Sequence, residues 1–519
     1  MKTLININKA ILVIGFFALV APSCKKQLEI TPRQSIESAT ALTSRDAIEA
    51  SITGIYTRLK SARQYGRDLI ALPEALADNG FATNKSGRLL PEAQNNSGAH
   101  FTTTIWTSNY AGINQINLTL EAIQALNLTP AVTQAERERW EGQLYFLRGL
   151  MLFDVARVYA YIPGAVVAVQ DRGGVPILTK GVSTPDSAFT RFPSRPSIDE
   201  DYNQIVRDLE LANARLTSSL GVNAANKAAT QALLAKVNLY RKNYVEAKKW
   251  ADSCITTNGG KLSTAPNYVS EWRKDTHSET LFQVRYTTSA ENIGVNESLQ
   301  TSFTTLVTVP GNTSVTGGFG DLVPTISLLN DLGITLTGGN TTANFALPAS
   351  IATRSNDVRN LLYEVGTAGR GNAKVECTKF LGKNGSINLD NVPVIRIADV
   401  YLIRAEALAT PGSTVFSAAA ALEDLKKIKG ARYTSYTGSA METADAALTS
   451  ANLYEEIIKQ RRIELAFEGS RFFDLKRLGR DLVKSPHYNN VAFTDFRILP
   501  AIPQADVDPN PNLKQNFGY

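Results

Sequence analysis

Residues 233–255, LLAKVNLYRKNYVEAKKWADSCI, constrain the fold of this 519-residue chain more than any other stretch. Ala235, Ala247 and Cys254 are small residues at positions where two antiparallel helices must approach closely. Tyr244 supplies a ring to fill the gap, and Lys242-Asn243 gives a short turn between the helices. This is the spacing of a tetratricopeptide repeat. A looser copy begins at IADVYLIRAEALA (397–409) and pairs with VFSAAAALEDLKKI (415–428). Such pairs stack side by side, so the expected fold class is mainly α, a right-handed helical-repeat scaffold.

Other stretches carry helical periods of their own. Ser44 reads as an N-cap before the apolar face Ala47, Ile48, Ser51, Ile52, Ile55, Tyr56 and Leu59. Helix is expected again over 108–126 and 133–161, where GQLYFLRGLMLFDVARVYAY is apolar on most sides and therefore buried. Arg148 and Arg157 within that run are expected to pair with carboxylates rather than bind an anion. Ser197 and Glu200 make a capping box for the next helix. Two regions break the helical text. Residues 77–104 turn to Asp, Asn, Gly and Ser, and 258–393 are rich in Gly, Thr, Ser and Asn, with a strand-like run at 280–286. Both read as large irregular insertions on the helical frame, with a few short strands. Near the end, Pro500, Pro503, Pro509 and Pro511 predict an extended path.

The stretch Tyr454 to Arg480, YEEIIKQRRIELAFEGSRFFDLKRLGR, predicts two helices meeting at Gly469, which tolerates the left-handed backbone of a C-cap. Its charges recur three or four residues apart: Arg461, Glu464, Glu468, Arg471, Asp474 and Arg477. Neighbours of this kind contribute only about 0.2–0.5 kcal/mol each on an exposed helix. Spacing alone favours a solvated charged face. The sharper alternative is an ion-paired ladder that locks the hairpin against the rest of the domain.

The amino terminus reads as an export signal. Lys2 and Lys9 give a basic start, Ala10 to Val20 form an apolar core too short to span a bilayer, and Ala21-Pro22-Ser23 precedes Cys24. A cysteine there predicts lipidation at Cys24, removal of residues 1–23 and a lipidated tether over 24–43. A plain secretory signal with an incidental cysteine is the alternative. Lipid chains hold a protein through buried methylenes worth about 0.8 kcal/mol each. Residues 44–519 are expected to form a single domain. The net charge of +6 is spread without a long basic run, which gives no support to nucleic-acid binding. Cys254 and Cys377 are too few for a zinc site, and whether they bridge is left open.

IIKQRRIELAFEGSRFFDLKRLG closely resembles the carboxy-terminal signature of the SusD/RagB family, outer-membrane nutrient-binding lipoproteins of Bacteroidetes. The resemblance continues along the chain, with departures at Gly149, at the insertion IPGAVVAVQDR (162–172), at Lys426 and Lys429, and at Phe517. It implies a SusD-like superhelix, and a partner: a SusC-like TonB-dependent transporter, over which such proteins sit as a surface lid. It also implies an oligosaccharide ligand and a cell-surface position on the outer membrane, held by the lipid anchor.

No catalysis is expected, because His100, His277 and His487 are the only histidines and no HExxH, GxSxG, Walker or dinucleotide fingerprint occurs. No cofactor or metal is expected; calcium is left open, without a consecutive oxygen-ligand motif to support it. Sugar recognition needs flat aromatic faces flanked by Asn, Asp or Arg. The first insertion offers Asn79, Phe81, Arg88, Asn95, Asn96 and Phe101, and the second Asn292, Asn296 and Phe319. Trp106, Trp140, Trp250 and Trp272 are assigned to packing. The alternatives to an oligosaccharide carrier are the same architecture importing peptides or another nutrient, and a repeat adaptor with no small ligand.

Overall fold

Ser44 Oγ accepts the Ala47 N–H at 3.3 Å and starts α1 (Arg45–Leu59), which buries Ile48, Ile52, Ile55 and Leu59 along one face. The buried helix α2 (Asp68–Leu76) leads to β1 (Gly80–Ala82) and a single turn, α3 (Leu90–Ala93). α4 (Ile105–Ala125) then packs on both α1 and α5 (Gln134–Tyr159). Every residue of α5 from Phe146 to Tyr159 is buried, as its all-round apolar text predicts. Arg148 pairs with Asp208 through two bonds of 2.8 and 2.6 Å, and Arg157 pairs with Asp154 at 2.6 Å, so both arginines are structural. α6 (Ile198–Arg215) carries the expected Ser197–Glu200 capping box and lies along α5. Gly149 permits that approach, since a Cβ there would stand 3.0 Å from the Leu209 side chain.

The repeat follows as α7 (Lys227–Tyr240) and α8 (Tyr244–Asn258), separated by Lys242 with φ +58° and capped by Asn243. Ala235, Ala247 and Cys254 are fully buried between helices, as their size requires. The fully buried ring here is Tyr240, while Tyr244 sits half-buried at the rim. The chain then leaves the frame through α9 (Ala265–Glu271), β2 (Thr280–Val284), α10 (Leu299–Phe303), β3 (Leu322–Pro324), α11 (Ile326–Asp331), β4 (Ile334–Gly338), β5 (Ser350–Arg354), β6 (Tyr363–Val365), β7 (Val375–Cys377) and β8 (Val392–Arg396). These strands form two-stranded antiparallel ladders, β1–β3, β2–β8, β4–β5 and β6–β7. Because β2 pairs with β8, the excursion closes on itself, and α12 (Ile397–Ala409) packs directly on α8. α13 (Ala418–Arg432) completes the second helix pair. α14 (Ala440–Ala446), α15 (Ser450–Glu464), α16 (Arg471–Arg477) and α17 (Gln504–Val507) finish the chain.

The computed structural model describes residues 42–101, 105–130, 132–184, 191–217, 220–307, 318–338, 348–368, 371–382 and 386–519. The signal region, Cys24 and nearly all of the expected tether lie outside them. Cys254 and Cys377 are free and buried, and Cys254 Sγ donates to the Ala228 carbonyl at 3.3 Å. α17 departs from the extended path predicted for the proline-rich tail. Pro503 precedes its first turn, where a missing N–H costs nothing.

The charges of 454–480 are not solvated. Glu464, fully buried, accepts Arg432 at 2.9 and 3.0 Å and Arg396 at 3.1 Å, and lies 3.4 Å from Arg359. Burial would push its carboxyl up, but Arg432 and Arg396 outweigh that and hold it well below the usual carboxylate range. Glu279, Asp357 and Glu468 balance the same arginines, together with Lys379 on Glu468 at 2.6 Å. Arg461 reaches Asp399 at 2.7 Å and Asp474 at 2.9 Å; Arg477 forks onto Glu406 at 2.5 and 2.7 Å. Only Asp474–Arg477, at 2.8 Å, is a pair between sequence neighbours of the kind the spacing suggested. Gly469 also acts differently from the expected C-cap, since α15 ends at Glu464. Its φ is +79°, its N–H donates to Glu74 Oε1 at 3.0 Å, and a Cβ would lie 2.2 Å from the Leu69 carbonyl oxygen, so glycine is required for contact with α2.

Replacing Glu464 by Gln leaves three buried guanidinium groups short of a counter-charge and is expected to lower unfolding free energy by about 3–5 kcal/mol in urea titration. Glu455→Gln, which removes an exposed pair with Arg480, is expected to stay within about 1 kcal/mol of the parent.

Candidate functional site

The two loop regions are brought together by the β1–β3 ladder, in which Phe81 faces Val323 and Ala82 faces Leu322. Thr83 extends the pairing with an N–H bond to the Asp321 carbonyl at 2.8 Å. Beyond it the chain turns through Asn84 and Leu89, both at positive φ. The buried Asp321 carboxylate gathers that turn, accepting Ser86 Oγ at 2.5 Å and Arg88 Nε at 3.0 Å. Burial nevertheless pushes the Asp321 carboxyl above its ordinary value. The Arg88 guanidinium lies 4.5 Å from the centre of the Phe319 ring and covers one of its faces. Glu376, also buried, fastens the neighbouring segment by accepting the Thr305 N–H at 2.6 Å and the Thr304 hydroxyl at 3.0 Å.

Beside this junction opens a cleft of about 310 Å³, whose chemistry comes from Arg63, Arg67, Asp68, Arg88, Glu92 and His100. That is near the lower end of the roughly 300–1,000 Å³ typical of small-molecule sites. Arg67 Nε donates to Asp68 at 2.7 Å. Arg63 approaches Asp68 at 3.7 Å and Glu297 at 3.5 Å, both too long for a hydrogen bond. His100 Nδ1 accepts the Phe101 N–H at 2.8 Å, so the neutral ring carries its proton on Nε2. Burial, with the Lys476 charge adding to it, holds the His100 pKa well below the ordinary value. Among the described residues neither Nε2 nor Arg88 Nη2 has a partner, and both atoms are buried.

The wall behind the cleft is held by buried cations. Lys484 Nζ donates to the carbonyls of Ala75 at 2.8 Å and Leu76 at 3.3 Å, to that of Ala93, and to Asn95 Oδ1 at 2.8 Å. Burial pushes its pKa down to about 7, while the ring of oxygens suits the ammonium form. Arg471 forks onto Asp78 at 2.7 and 2.8 Å, and Arg462 donates to Asn79 Oδ1 at 2.9 Å. Burial would raise the Asp78 carboxyl, but Arg471 and then Arg462 bring it down to about 2.

Among the residues expected to meet ligand, Arg88 lines the cleft and Phe319 lies under it. Asn79, Asn95 and Phe101 are buried; the two asparagines bond Glu74 and Lys484, and Phe101 stacks on Phe473. Phe81 packs on Tyr488 and His487, at ring distances of 5.3 and 4.3 Å. Asn96 is exposed beside Gln94. Asn292 bonds the Ile387 carbonyl at 2.6 Å, and Asn296 is exposed next to Glu297. Trp106, Trp140 and Trp272 are buried and Trp250 is half-buried against the core. All three histidines are buried. Reading the loops for asparagine and aromatics missed Arg63, Arg67, Asp68, Glu92 and His100. The available signal was the RQYGRD step between α1 and α2, where two arginines stand four apart around a glycine.

A larger groove of about 1,110 Å³ runs between α1 and α4. Several of its polar side chains are engaged, Asn114 with Val182, Gln115 with Ser51 and Arg58, and Glu121 with the Gly181 N–H, and neither irregular insertion contributes to its lining. The smaller cleft, with unpartnered donors, is therefore the candidate site.

Fold and cleft together define a helical-repeat protein with a cleft built largely from its loops. Two family models match, one described as "SusD family" over residues 368–519 and one as "Starch-binding associating with outer membrane" over residues 27–239, together more than half of the chain. The chain belongs to the SusD/RagB family. A SusD-like protein of Formosa agariphila is 24% identical over 547 residues, with full coverage of both chains, and one of Bacteroides ovatus is 22% identical over 91% of this chain and 82% of the other. A solved SusD superfamily protein of Bacteroides thetaiotaomicron superposes with a TM-score of 0.74 at 26% identity, covering 91% of this chain and 99% of that one. A SusD-like carbohydrate binding protein of Bacteroides vulgatus shares the fold at a TM-score of 0.71 and 18% identity, over 91% and 97%. Among the described residues no helix is long and apolar enough to cross a membrane.

Two outcomes follow from the wall. Asp78 has a folded pKa near 2 against an unfolded value near 4, so its ion pairs stabilise fully above about pH 4 and the contribution is lost as pH falls through 2. The advantage of the parent over Asp78→Asn, at most about 2–3 kcal/mol at pH 7, should shrink to nothing near pH 2 in calorimetry. Lys484→Met removes the ammonium from the Ala75, Ala93 and Asn95 oxygens and leaves Leu76 with only Asn95 Nδ2, and amide exchange across 75–96 should accelerate by roughly 10–100-fold, the equivalent of about 1.4–2.8 kcal/mol of local opening.

Proposed function

We propose that this chain is a non-catalytic carbohydrate-binding protein of the outer-membrane surface, in which residues 44–519 act as one domain. It captures oligosaccharides in the Arg63–Arg88–His100 cleft and hands them to a SusC-like TonB-dependent transporter, while lipidation at Cys24 keeps it at the membrane. The observation that carries this reading is that two residues lining the cleft, Arg88 and His100, each keep a buried donor, Nη2 and Nε2, without a partner among the described residues, beside segments fixed by buried ion pairs. Sugar hydroxyls and ring oxygens supply the acceptors those atoms lack, and a fixed wall reduces the ordering cost of binding.

Family descriptions agree with the ligand class and the membrane, since one matching model is described as starch-binding and associating with the outer membrane. A hydrolytic role lacks its parts, because Asp68 is committed to Arg67 and Glu92 has no second free carboxylate across the cleft to share a glycosidic bond. The face available to the transporter is the outside of the repeat, which is how stacked helix pairs commonly dock.

Calorimetric titration of the mature chain against a panel of glycan oligomers tests the proposal. Binding to at least one glycan is expected, with Arg88→Ala weakening it about tenfold or more, as loss of a hydrogen bond from a charged donor implies. Flat traces with every glycan, alongside binding of peptides, would overturn it.

A further inference from the structure

Resting on the carbohydrate-binding reading, we infer that the sugar held in this cleft is anionic, carrying a carboxylate or sulfate that sits among Arg63, Arg67 and Arg88. Three guanidinium groups line one small cleft. Arg67 donates to Asp68, but Arg63 has only the ion contacts at 3.5 and 3.7 Å and no side-chain hydrogen bond among the described residues. Its side chain is 47% exposed, and contacts this long leave its fork able to take up a closer anion. Arg88 uses Nε on Asp321 and keeps Nη2 unpartnered. His100 is 5% exposed, and its tautomer is set by the Phe101 N–H, so Nε2 adds another donor without an acceptor.

The cleft is therefore rich in donors and poor in acceptors. A neutral sugar brings hydroxyls, each of which donates as well as accepts, and outside the Arg67–Asp68 pair the side chains lining the cleft offer their protons only Glu92 and the Ser302 hydroxyl oxygen. A carboxylate or sulfate accepts only, and its flat or tripodal oxygens match a guanidinium fork. The acidic neighbours fit this account. Asp68, Glu297 and Asp321 orient the three arginines by contact with them, and hold the forks apart against mutual repulsion in the absence of ligand. Glu92 is the one cleft carboxylate without a cationic partner within ion-pair distance, and a bound anion would be opposed by its charge. Burial, followed by the Asp68 charge, already raises its pKa, which eases that opposition.

The test compares tetragalacturonate, the neutral galactotetraose of matching linkage and a sulfated carrageenan tetrasaccharide, each titrated into the mature chain at low and high salt. At low salt an anionic probe is expected to bind at least tenfold more tightly than the neutral one, with the gap closing as salt rises. Arg63→Gln, which gives up only ion contacts of 3.5 and 3.7 Å, should remove about tenfold of the anionic affinity and weaken any neutral binding by clearly less. Glu92→Gln should strengthen the anionic probe. Preference for the sulfated over the carboxylated probe supports the inference and identifies the anion. Binding of the neutral probe at equal or greater strength, or an equal effect of Arg63→Gln on both, overturns the anionic inference and leaves the carbohydrate reading standing. Absence of binding to all three, together with flat traces across the glycan panel, overturns both.

Discussion

Glu464 is a carboxylate with no access to water, and three guanidinium groups surround it. Such a group is strongly destabilising by itself, because removing an ion from water costs several kcal/mol that one ion pair barely returns. Here the cost is shared across a balanced set: Arg359, Arg396, Arg432 and Lys379 against Glu279, Asp357, Glu464 and Glu468. Each bond also satisfies a donor or acceptor that would otherwise be buried alone. The result is a cluster that tolerates no partial assembly, and so it fixes which segments must meet.

Those segments are distant in sequence. Glu279 precedes β2, Arg396 ends β8, Asp357 and Arg359 belong to the middle of the long excursion, Arg432 ends α13, and Glu464 ends α15. The cluster therefore ties the glycine-rich excursion to the helical frame at both ends and at its middle. A second set does the same for the first insertion, where Arg462, Arg471 and Lys484 reach Asp78, Asn79 and Asn95. With both insertions anchored to the same carboxy-terminal helices, β1 and β3 can pair, and the cleft forms where they part. The stretch whose spacing favoured a solvated charged face is thus what gives the loops their shape.

How much of this was readable follows from the range of each interaction. Helix pairing was legible because Ala235, Ala247 and Cys254 state their packing locally, through size and spacing alone. The caps at Ser44 and Ser197 were legible for the same reason. The charges of 454–480 were misread because three-residue spacing is identical for a wet face and for a buried one. What separates the two is the identity of partners such as Arg432 and Asp399, which local pattern does not contain. The site was legible only as a neighbourhood. Asn79 and Asn95 have the chemistry of sugar contacts, but in the folded chain they face Glu74 and Lys484. Arg63 and Arg67 escaped notice because they stand in a helix connection outside both irregular regions.

The same anchoring bears on how a cleft of this kind can work. A pocket assembled from irregular loops would ordinarily have to be ordered by its ligand, and weak sugar contacts offset little ordering entropy. Asp321, Glu376 and Lys484 have already fixed the backbone around this one, without using Arg63, the free edge of Arg88 or the outer nitrogen of His100. Scaffold contacts and unpartnered donors are thus separate groups among the described residues, even where they belong to one side chain, as in Arg88. Such separation leaves Arg63 open to substitution while the buried ions keep the frame, since Arg63 makes only ion contacts of 3.5 and 3.7 Å.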